Sequence, residues 1–301
     1  METKVTRKAG YRKSYPEVSL LTQAKKLLRR FDLQARKSLG QHFLIDEDVL
    51  KSITSAAELT PNDFVIEVGP GLGVLTRELV RQAGWVVTVE LDSRLAFALK
   101  QSLASFDNVT IVNEDILNID PAALLQEQKT INYKVVANLP YYITSPVLRH
   151  FLEASLKPQV MVVMVQKEVA EAIVAKPGGM SLLSISVQFY GEPRIISYVP
   201  ARCFYPAPEV DSAILRISLY PQPVVAVKDI EGFFELVRAG FAAPRKQIAN
   251  SLAQGLGLDK AQVLFPLEKA GVVPRRRAET LTIDEWAQLW QIFSQVRETS
   301  W

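Results

Sequence analysis

The sequence predicts an α/β fold, a mainly parallel, doubly wound sheet followed by a small all-helical domain. Three observations carry this. From Asp63 onward, short apolar runs alternate with stretches of helical period, the pattern of consecutive strand–helix units. The chain has 301 residues, more than one small module needs, and its 48% hydrophobic and 22% charged residues suit a globular protein with a sizeable core. After Pro221 and Pro223 the strand pattern stops, and only helical patterns follow.

In order along the chain, residues 1–35 form a basic N-terminal extension. It contains one helical run, Ser19–Arg30, in which Leu20, Leu21, Ala24, Leu27 and Leu28 recur at helix spacing. Strands are expected at Phe64–Val68, Trp85–Glu90, Val109–Val112, Tyr133–Ala137 and Val160–Val165. Helices are expected at Val74–Gln82, Ser93–Ala104, Ser145–Glu153 and Lys167–Ala175. Two late strands, Ile195–Val199 and Ser212–Leu219, have no equal helix between them and are expected to pair antiparallel. The main domain then spans 36–222. Residues 223–301 make the helical domain, with helices at Phe233–Phe241, Arg245–Leu252, Asp259–Lys269 and Ile283–Arg297.

Composition excludes several classes. The longest apolar runs, such as Val160–Val165, fall far short of the roughly 18–20 residues a membrane-spanning helix needs. Met1–Gly10 carries charges with no apolar stretch behind it, unlike a secretory signal, and the single Cys203 forms no internal disulfide. A cytoplasmic location is expected. With one Cys and two His, His42 and His150, no metal site is expected. The net charge of +3 is unevenly spread: the first 42 residues hold 11 Lys/Arg against 3 acids, and residues 236–280 hold 8 against 3. Two basic segments around an acidic middle suit a polyanion ligand, through counterion release, and equally suit solvated surface charge.

Behind the first strand stands Glu67-Val68-Gly69-Pro70-Gly71-Leu72-Gly73, opening a helix. Glycines there let the chain turn sharply and let a ligand lie against the backbone at the carboxyl edge of the sheet. A dinucleotide fingerprint needs glycine at position 74, where Val74 stands. The spacing resembles motif I of the class I, Rossmann-like S-adenosylmethionine-dependent methyltransferases. Glu90, at the end of the second strand, suits a ribose diol, and Asp115, after the third, an adenine amine. Asp92 competes with Glu90, and Glu114 with Asp115; alternation leaves both choices open.

After the fourth strand comes Asn138-Leu139-Pro140-Tyr141-Tyr142. The lone pair of an adenine N6 amine is delocalised into the ring, so the amine is a poor nucleophile. The Asn138 side-chain oxygen and a backbone carbonyl such as that of Leu139 would accept from its N–H groups and favour a pyramidal nitrogen. Orientation and placed dipoles then do the work, with no strong base. Tyr141 would stack on the turned-out base. The segment resembles the Asn/Asp-Pro-Pro-Tyr signature of amino-group methyltransferases, in the Asn-Leu-Pro-Tyr form of the rRNA adenine N6-dimethyltransferases.

That resemblance extends over residues 36–252. Lys37-Ser38-Leu39-Gly40-Gln41-His42-Phe43-Leu44 is similar to the family's Gly-Gln-(Asn/His)-Phe-Leu motif, which implies Gln41, His42 and Leu44 beside the cofactor with Glu67, Gly69, Gly71, Gly73, Glu90, Asp115 and Asn138. Phe204-x-Pro206-x-Pro208-x-Val210-x-Ser212 resembles the segment whose Phe lines the target-base pocket opposite the Tyr, so Asn138, Leu139, Pro140, Tyr141 and Phe204 are the implied catalytic set. Phe241–Leu252 resembles Phe-x-x-Arg-Arg-Lys-x-x-x-Asn-x-Leu of the helical domain, with Pro244 in place of the first Arg. The implied RNA contacts are Arg36, Lys37, Arg245, Lys246, Arg275, Arg276 and Arg277. The KsgA-type, small-subunit branch fits best. It implies N6,N6-dimethylation of two adjacent adenosines in the 3′-terminal hairpin loop of small-subunit rRNA, by a monomer acting on the small ribosomal subunit.

Three other readings compete. Large-subunit rRNA dimethylases share the glycine loop and the Asn-(Leu/Ile)-Pro-Tyr turn; the Phe-x-Pro-x-Pro and Arg-Lys-x-x-x-Asn-x-Leu segments argue against them. A non-catalytic RNA-binding assembly factor is opposed by the intact Asn138 and Tyr141. A DNA adenine methyltransferase is weaker still. Of the remaining residues, His150 is expected on a helix face, Cys203 as an inert small hydrophobe, and Met161 and Met164 in the core.

Overall fold

The computed structural model describes residues 19–36, 39–126 and 131–299, with side chains to 295. Seven strands form one sheet: β2 (Phe64–Val68), β3 (Trp85–Val89), β4 (Val109–Val112), β5 (Lys134–Asn138), β6 (Val160–Gln166), β7 (Gly191–Val199) and β9 (Ser212–Leu219). Their order is β4-β3-β2-β5-β6-β9-β7. Pairs among β2–β6 are parallel, and β9 lies antiparallel between β6 and β7. The expected mainly parallel sheet is therefore present. The chain runs outward from β2 to β3 and β4, then returns to β5 on the other side of β2. That reversal opens a crevice at the carboxyl ends of β2 and β5, where sheets of this kind bind ligands.

The central strands are buried on both faces because helices cover both; β2 is buried throughout, and Met161 and Met164 of β6 are in the core. Helices α3 (Val74–Gln82), α4 (Ser93–Ser102), α6 (Thr144–Glu153) and α7 (Lys167–Ile173) follow the expected pattern. Four elements around the sheet depart from it. Helix α2 (Glu47–Ala57) precedes β2, its first turn capped by Asp46, which accepts from the amides of Asp48 and Val49. Helix α8 (Leu182–Tyr190) starts at a Ser181–Ser184 capping box. Strand β7 begins four residues earlier than expected, at Gly191, and tolerates Pro193 because it is an edge strand. A short helix α5 (Pro121–Leu125) fills the connection to β5.

Outside the sheet, β1 (Phe43–Leu44) pairs antiparallel with β8 (Phe204–Tyr205). Helix α1 (Leu20–Arg30) packs against the body through Leu20 and Ala24; Ala24 sits in one cluster with Phe43, Leu72, Leu95 and Ala98. Cys203 is buried, its thiol donating to Asp46 and pushed up in pKa by burial. His150 is half-buried on α6, edge-on to Phe151.

The four C-terminal helices are α9 (Ile230–Phe241), α10 (Ile248–Leu256), α11 (Lys260–Lys269) and α12 (Ile283–Thr299). Their apolar faces surround fully buried Trp286. Phe189 of α8 stacks on Phe233 at 5.1 Å and meets Phe234 edge-on at 5.2 Å, so a single apolar cluster runs from the sheet into these helices. Helix α10 starts at Ile248 and not at Arg245. The turn after Pro244 is closed by the Lys246 amide donating to Ala243, and the first α10 amides donate to carbonyls of another loop, Ile248 to Arg276 and Ala249 to Pro274.

A Cβ at Gly240 on α9 would lie 2.2 Å from the Trp286 ring. Glycine to alanine inside a helix ordinarily gains about 0.5–1 kcal/mol, but here the overlap should reverse the sign, with Gly240→Ala losing roughly 1–3 kcal/mol. Urea unfolding of the variant measures this; equal or greater stability would mean that Trp286 has room to move.

Candidate active site

The crevice at the switch point is a cavity walled by Leu39–Leu44, the glycine loop, the ends of β3 and β4, and Asn138–Ile143. The loop turns with Gly69, Gly71 and Gly73 at φ of +65°, +57° and +74°. At Gly71 space is short as well, since a Cβ would come within 3.1 Å of the Phe43 ring. The loop is tied to the end of β3 by the Gly71 amide, which donates to Glu90 Oε2 at 3.1 Å, while Glu90 Oε1 accepts from the Asp92 amide at 2.8 Å.

This geometry separates the two acids at the end of β3. Glu90 lines the cavity, and burial raises its pKa. Asp92 caps α4 by accepting from the Arg94 amide, and its buried carboxylate also meets Gln41 Nε2 at 3.4 Å and the Arg36 and Arg94 guanidiniums at 3.5 Å. After β4 both acids reach the cavity. Glu114 is exposed, whereas half-buried Asp115 caps a short turn by accepting from the Leu117 amide.

Glu67 is fully enclosed. Its Oε2 accepts from Thr76 Oγ1 at 2.7 Å, while Oε1 is buried without a hydrogen-bond partner among the described residues. Burial raises its carboxyl from 4.5 to about 8.

On the opposite wall, Asn138 Nδ2 donates to the His42 carbonyl at 3.2 Å. A carbonyl only accepts, so the amide NH2 faces it, and Oδ1 is left without a hydrogen-bond partner among the described residues. The Leu139 amide donates to Met164 across β5 and β6, which fixes the start of the turn. Pro140 packs beside Gly69. The Tyr141 ring stacks on His42 with centroids 5.9 Å apart, and its hydroxyl lies 2.7 Å from Ser212 Oγ. His42 Nδ1 in turn sits 2.8 Å from the Pro206 carbonyl. Exposed Tyr142 stands at the mouth beside Gly40.

The expected residues thus converge, with exceptions. Phe204 is 3% exposed and does not line the cavity. It packs behind the wall with Val199, Cys203 and Ile214, paired in register with Leu44, because the β1–β8 ladder turns its ring inward. Gln41 lines the cavity with its amide already engaged: Oε1 accepts from the Arg36 amide at 2.9 Å and Nε2 faces Asp92.

Among the expected RNA contacts, Arg245, Lys246, Arg275 and Arg277 are exposed, and the two basic loops meet through the bonds that start α10. Lys246 Nζ reaches Gln254, and Arg277 lies 3.7 Å from Glu279. Arg276 is placed otherwise. It forms a two-point ion pair with Glu285 and donates Nε to Thr280, so its guanidinium braces the loop against α12. Arg36 is engaged with Asp92, and Lys37 lies outside the described residues. Sequence reasoning missed Phe43 and Ser212 as parts of the site, although both stand inside the two motifs noted above. Asp92, which the sequence offered as an alternative to Glu90, does not line the cavity and instead holds Gln41, Arg36 and Arg94 behind it.

Switch-point sheet, glycine loop and Asn138–Tyr142 turn together define the class, a Rossmann-like class I methyltransferase. Within it, the chain belongs to the ribosomal RNA adenine dimethylase family, whose model matches residues 32–295. It is 52% identical over 277 residues to the ribosomal RNA small subunit methyltransferase A of Dehalococcoides mccartyi, covering 92% of this chain and 94% of that one. To the protein of the same name from Moorella thermoacetica it is 45% identical, covering 87% and 94%. Among solved structures it is similar to the 23S rRNA methyltransferase ErmE, with a TM-score of 0.66, 30% identity, and 84% of this chain and 100% of that one covered. The fold is also that of a dimethyladenosine transferase from Plasmodium falciparum, with a TM-score of 0.71 at 24% identity over 84% of this chain and 98% of that one. Among the described residues no helix is long and apolar enough to cross a membrane, and no group of His, Cys, Asp and Glu is placed to hold a metal ion.

Glu67 makes stability depend on pH. The unfolded carboxyl loses its proton near its ordinary value of 4.5, and the folded one near 8. Between these values the folded chain binds more protons, so stability falls as pH rises. Glu67→Gln keeps an acceptor for Thr76 and removes the ionisation. Its Tm advantage over the unaltered chain should widen from pH 5 to pH 8; a constant difference would contradict the raised value.

Proposed function

We propose that this chain transfers methyl groups from S-adenosylmethionine to the N6 amines of two adjacent adenosines in the 3′-terminal hairpin loop of small-subunit rRNA, acting in the cytoplasm as a monomer during small-subunit biogenesis. The observation that carries the reading is the turned Asn138 amide. Its oxygen is the acceptor an amine nucleophile needs, and it stands at the rim of the glycine-loop cavity. The names of relatives at 45–52% identity support the small-subunit assignment, as do the Phe204–Ser212 and Arg245–Leu252 segments.

The residues present fit the cofactor. The glycine loop offers backbone without side chains, Glu90 a buried carboxylate at the cavity wall, and Glu67 an oxygen with no partner beside it. Glu90 would hold the ribose hydroxyls and Asp115 the adenine amine, while Gly69, Gly71 and Gly73 accommodate the remainder against Gln41, His42 and Leu44. When bound, the cofactor supplies an electrophilic methyl group on a sulfonium centre.

At the amine, Asn138 Oδ1 and the Leu139 carbonyl accept the two N–H groups and turn the lone pair out of the ring plane. Tyr141 is fixed by Ser212 at its hydroxyl and by His42 on one face, and offers its other face to the base. The leaving thioether is neutral and needs no proton, and the methylated, cationic nitrogen sheds its own proton to water, so no strong base is required and positioning and dipoles suffice. The helices after residue 223 would bring Arg245, Lys246, Arg275 and Arg277 to RNA phosphates, with Arg276 serving the loop itself.

Asn138→Ala should cut single-turnover methyl transfer to unmethylated small subunits by roughly 10²-fold or more. RNA affinity by filter binding should change little, since no positive charge is lost, and cofactor affinity by calorimetry should change far less than the rate, the loss there being the hydrogen bond to the His42 carbonyl. Transfer within a few-fold of the unaltered chain would remove Asn138 from the chemistry.

A further inference from the structure

Helix α1 carries Lys25, Lys26, Arg29 and Arg30, and no acidic residue. All four are exposed, on the side opposite buried Ala24. Among the described residues none of the four has an ion-pair partner. Lys25 with Arg29, and Lys26 with Arg30, are like charges one helical turn apart, an arrangement that destabilises a helix. Arg29 and Arg30 in the last turn are favoured by the helix dipole; Lys25 and Lys26 have no such reason to be there.

The position of the helix supplies the reason. Lys25 Nζ lies 5.3 Å from the centre of the Tyr205 ring, which is 37% exposed. Tyr205 pairs in register with Phe43, and Phe43 lines the cavity against Gly71. A row of cations held on a packed helix thus ends at an accessible aromatic ring one residue pair away from the cavity wall.

We infer that α1 is a preformed RNA-docking ridge. Lys25, Lys26, Arg29 and Arg30 follow the sugar–phosphate backbone of the strand that carries the target adenosine, and Tyr205 offers a stacking surface to a neighbouring base. The inference rests on the proposed rRNA substrate and adds a contact surface that the C-terminal basic loops do not supply. A packed helix has no backbone ordering entropy to lose on binding, so its charges contribute more fully than those of a flexible tail.

The test replaces all four cations by glutamine, which keeps helix propensity. Filter binding to the protein-free 3′-terminal hairpin RNA is measured over a range of salt, with methyl transfer to that RNA and to unmethylated small subunits alongside. The variant should show a KM for both substrates raised about tenfold or more, kcat within a few-fold, unchanged cofactor affinity, and a salt slope shallower by two or more units. An unchanged salt slope for the RNA overturns the ridge. So does a KM raised for subunits alone, which would place a ribosomal protein against α1. Failure of the unaltered chain to methylate either substrate would overturn the functional reading instead, and the filter-binding slope would still decide the ridge.

Discussion

Residues 41–45 pass between the two halves of the cavity, and hydrogen bonds fasten them on both sides. Gln41 is held to Asp92 at the end of β3, and the His42 carbonyl accepts from Asn138 at the end of β5. The His42 ring reaches the Pro206 carbonyl, and the Ile45 amide donates to Cys203. Phe43 covers Gly71. The side of the cavity built on β2 and β3 and the side built on β5 are therefore set against each other by one short segment. If that segment moved by even an ångström, the acceptor oxygen of Asn138 and the glycine loop would lose their mutual alignment, and alignment is what this chemistry depends on.

Much of this arrangement was legible in the sequence because the central strands and the two motif turns follow local rules. Apolar runs bounded by glycine and charge give strands, and the glycine loop and the Asn138 turn stand at the ends of the strands that flank the switch point. What was hidden has physical causes. Helix α8 is apolar on nearly all sides, so it carries no amphipathic signal. Gly191 and Pro193 mask the start of β7. Glu90 and Asp92 differ only in which wall they meet, a property of the sheet edge and not of either residue. Phe204 matches the family segment, but a two-residue ladder with β1 decides where its ring points.

The basic residues show the same limit. Arg275, Arg276 and Arg277 are identical in type and adjacent, yet Arg276 is consumed by Glu285 on α12 while its neighbours remain at the surface. Its carbonyl, with that of Pro274, also starts α10 and thereby brings Arg245 and Lys246 alongside. One arginine spent on structure assembles the surface that the other four cations form. Asp92 does comparable work at the cavity, where its buried charge is balanced by Arg36 and Arg94 and its oxygens hold Gln41.

The His42 carbonyl orients the Asn138 amide. The most direct measurement is the single-turnover methyl-transfer rate of Asn138→Asp on unmethylated small subunits. Aspartate is nearly the same size and keeps acceptor oxygens, but as a carboxylate it cannot donate to His42 and is repelled by that carbonyl. Transfer is predicted to fall about five- to 150-fold, with cofactor affinity retained, because losing a hydrogen bond of this kind costs about 1–3 kcal/mol. A rate equal to that of the unaltered chain would contradict it.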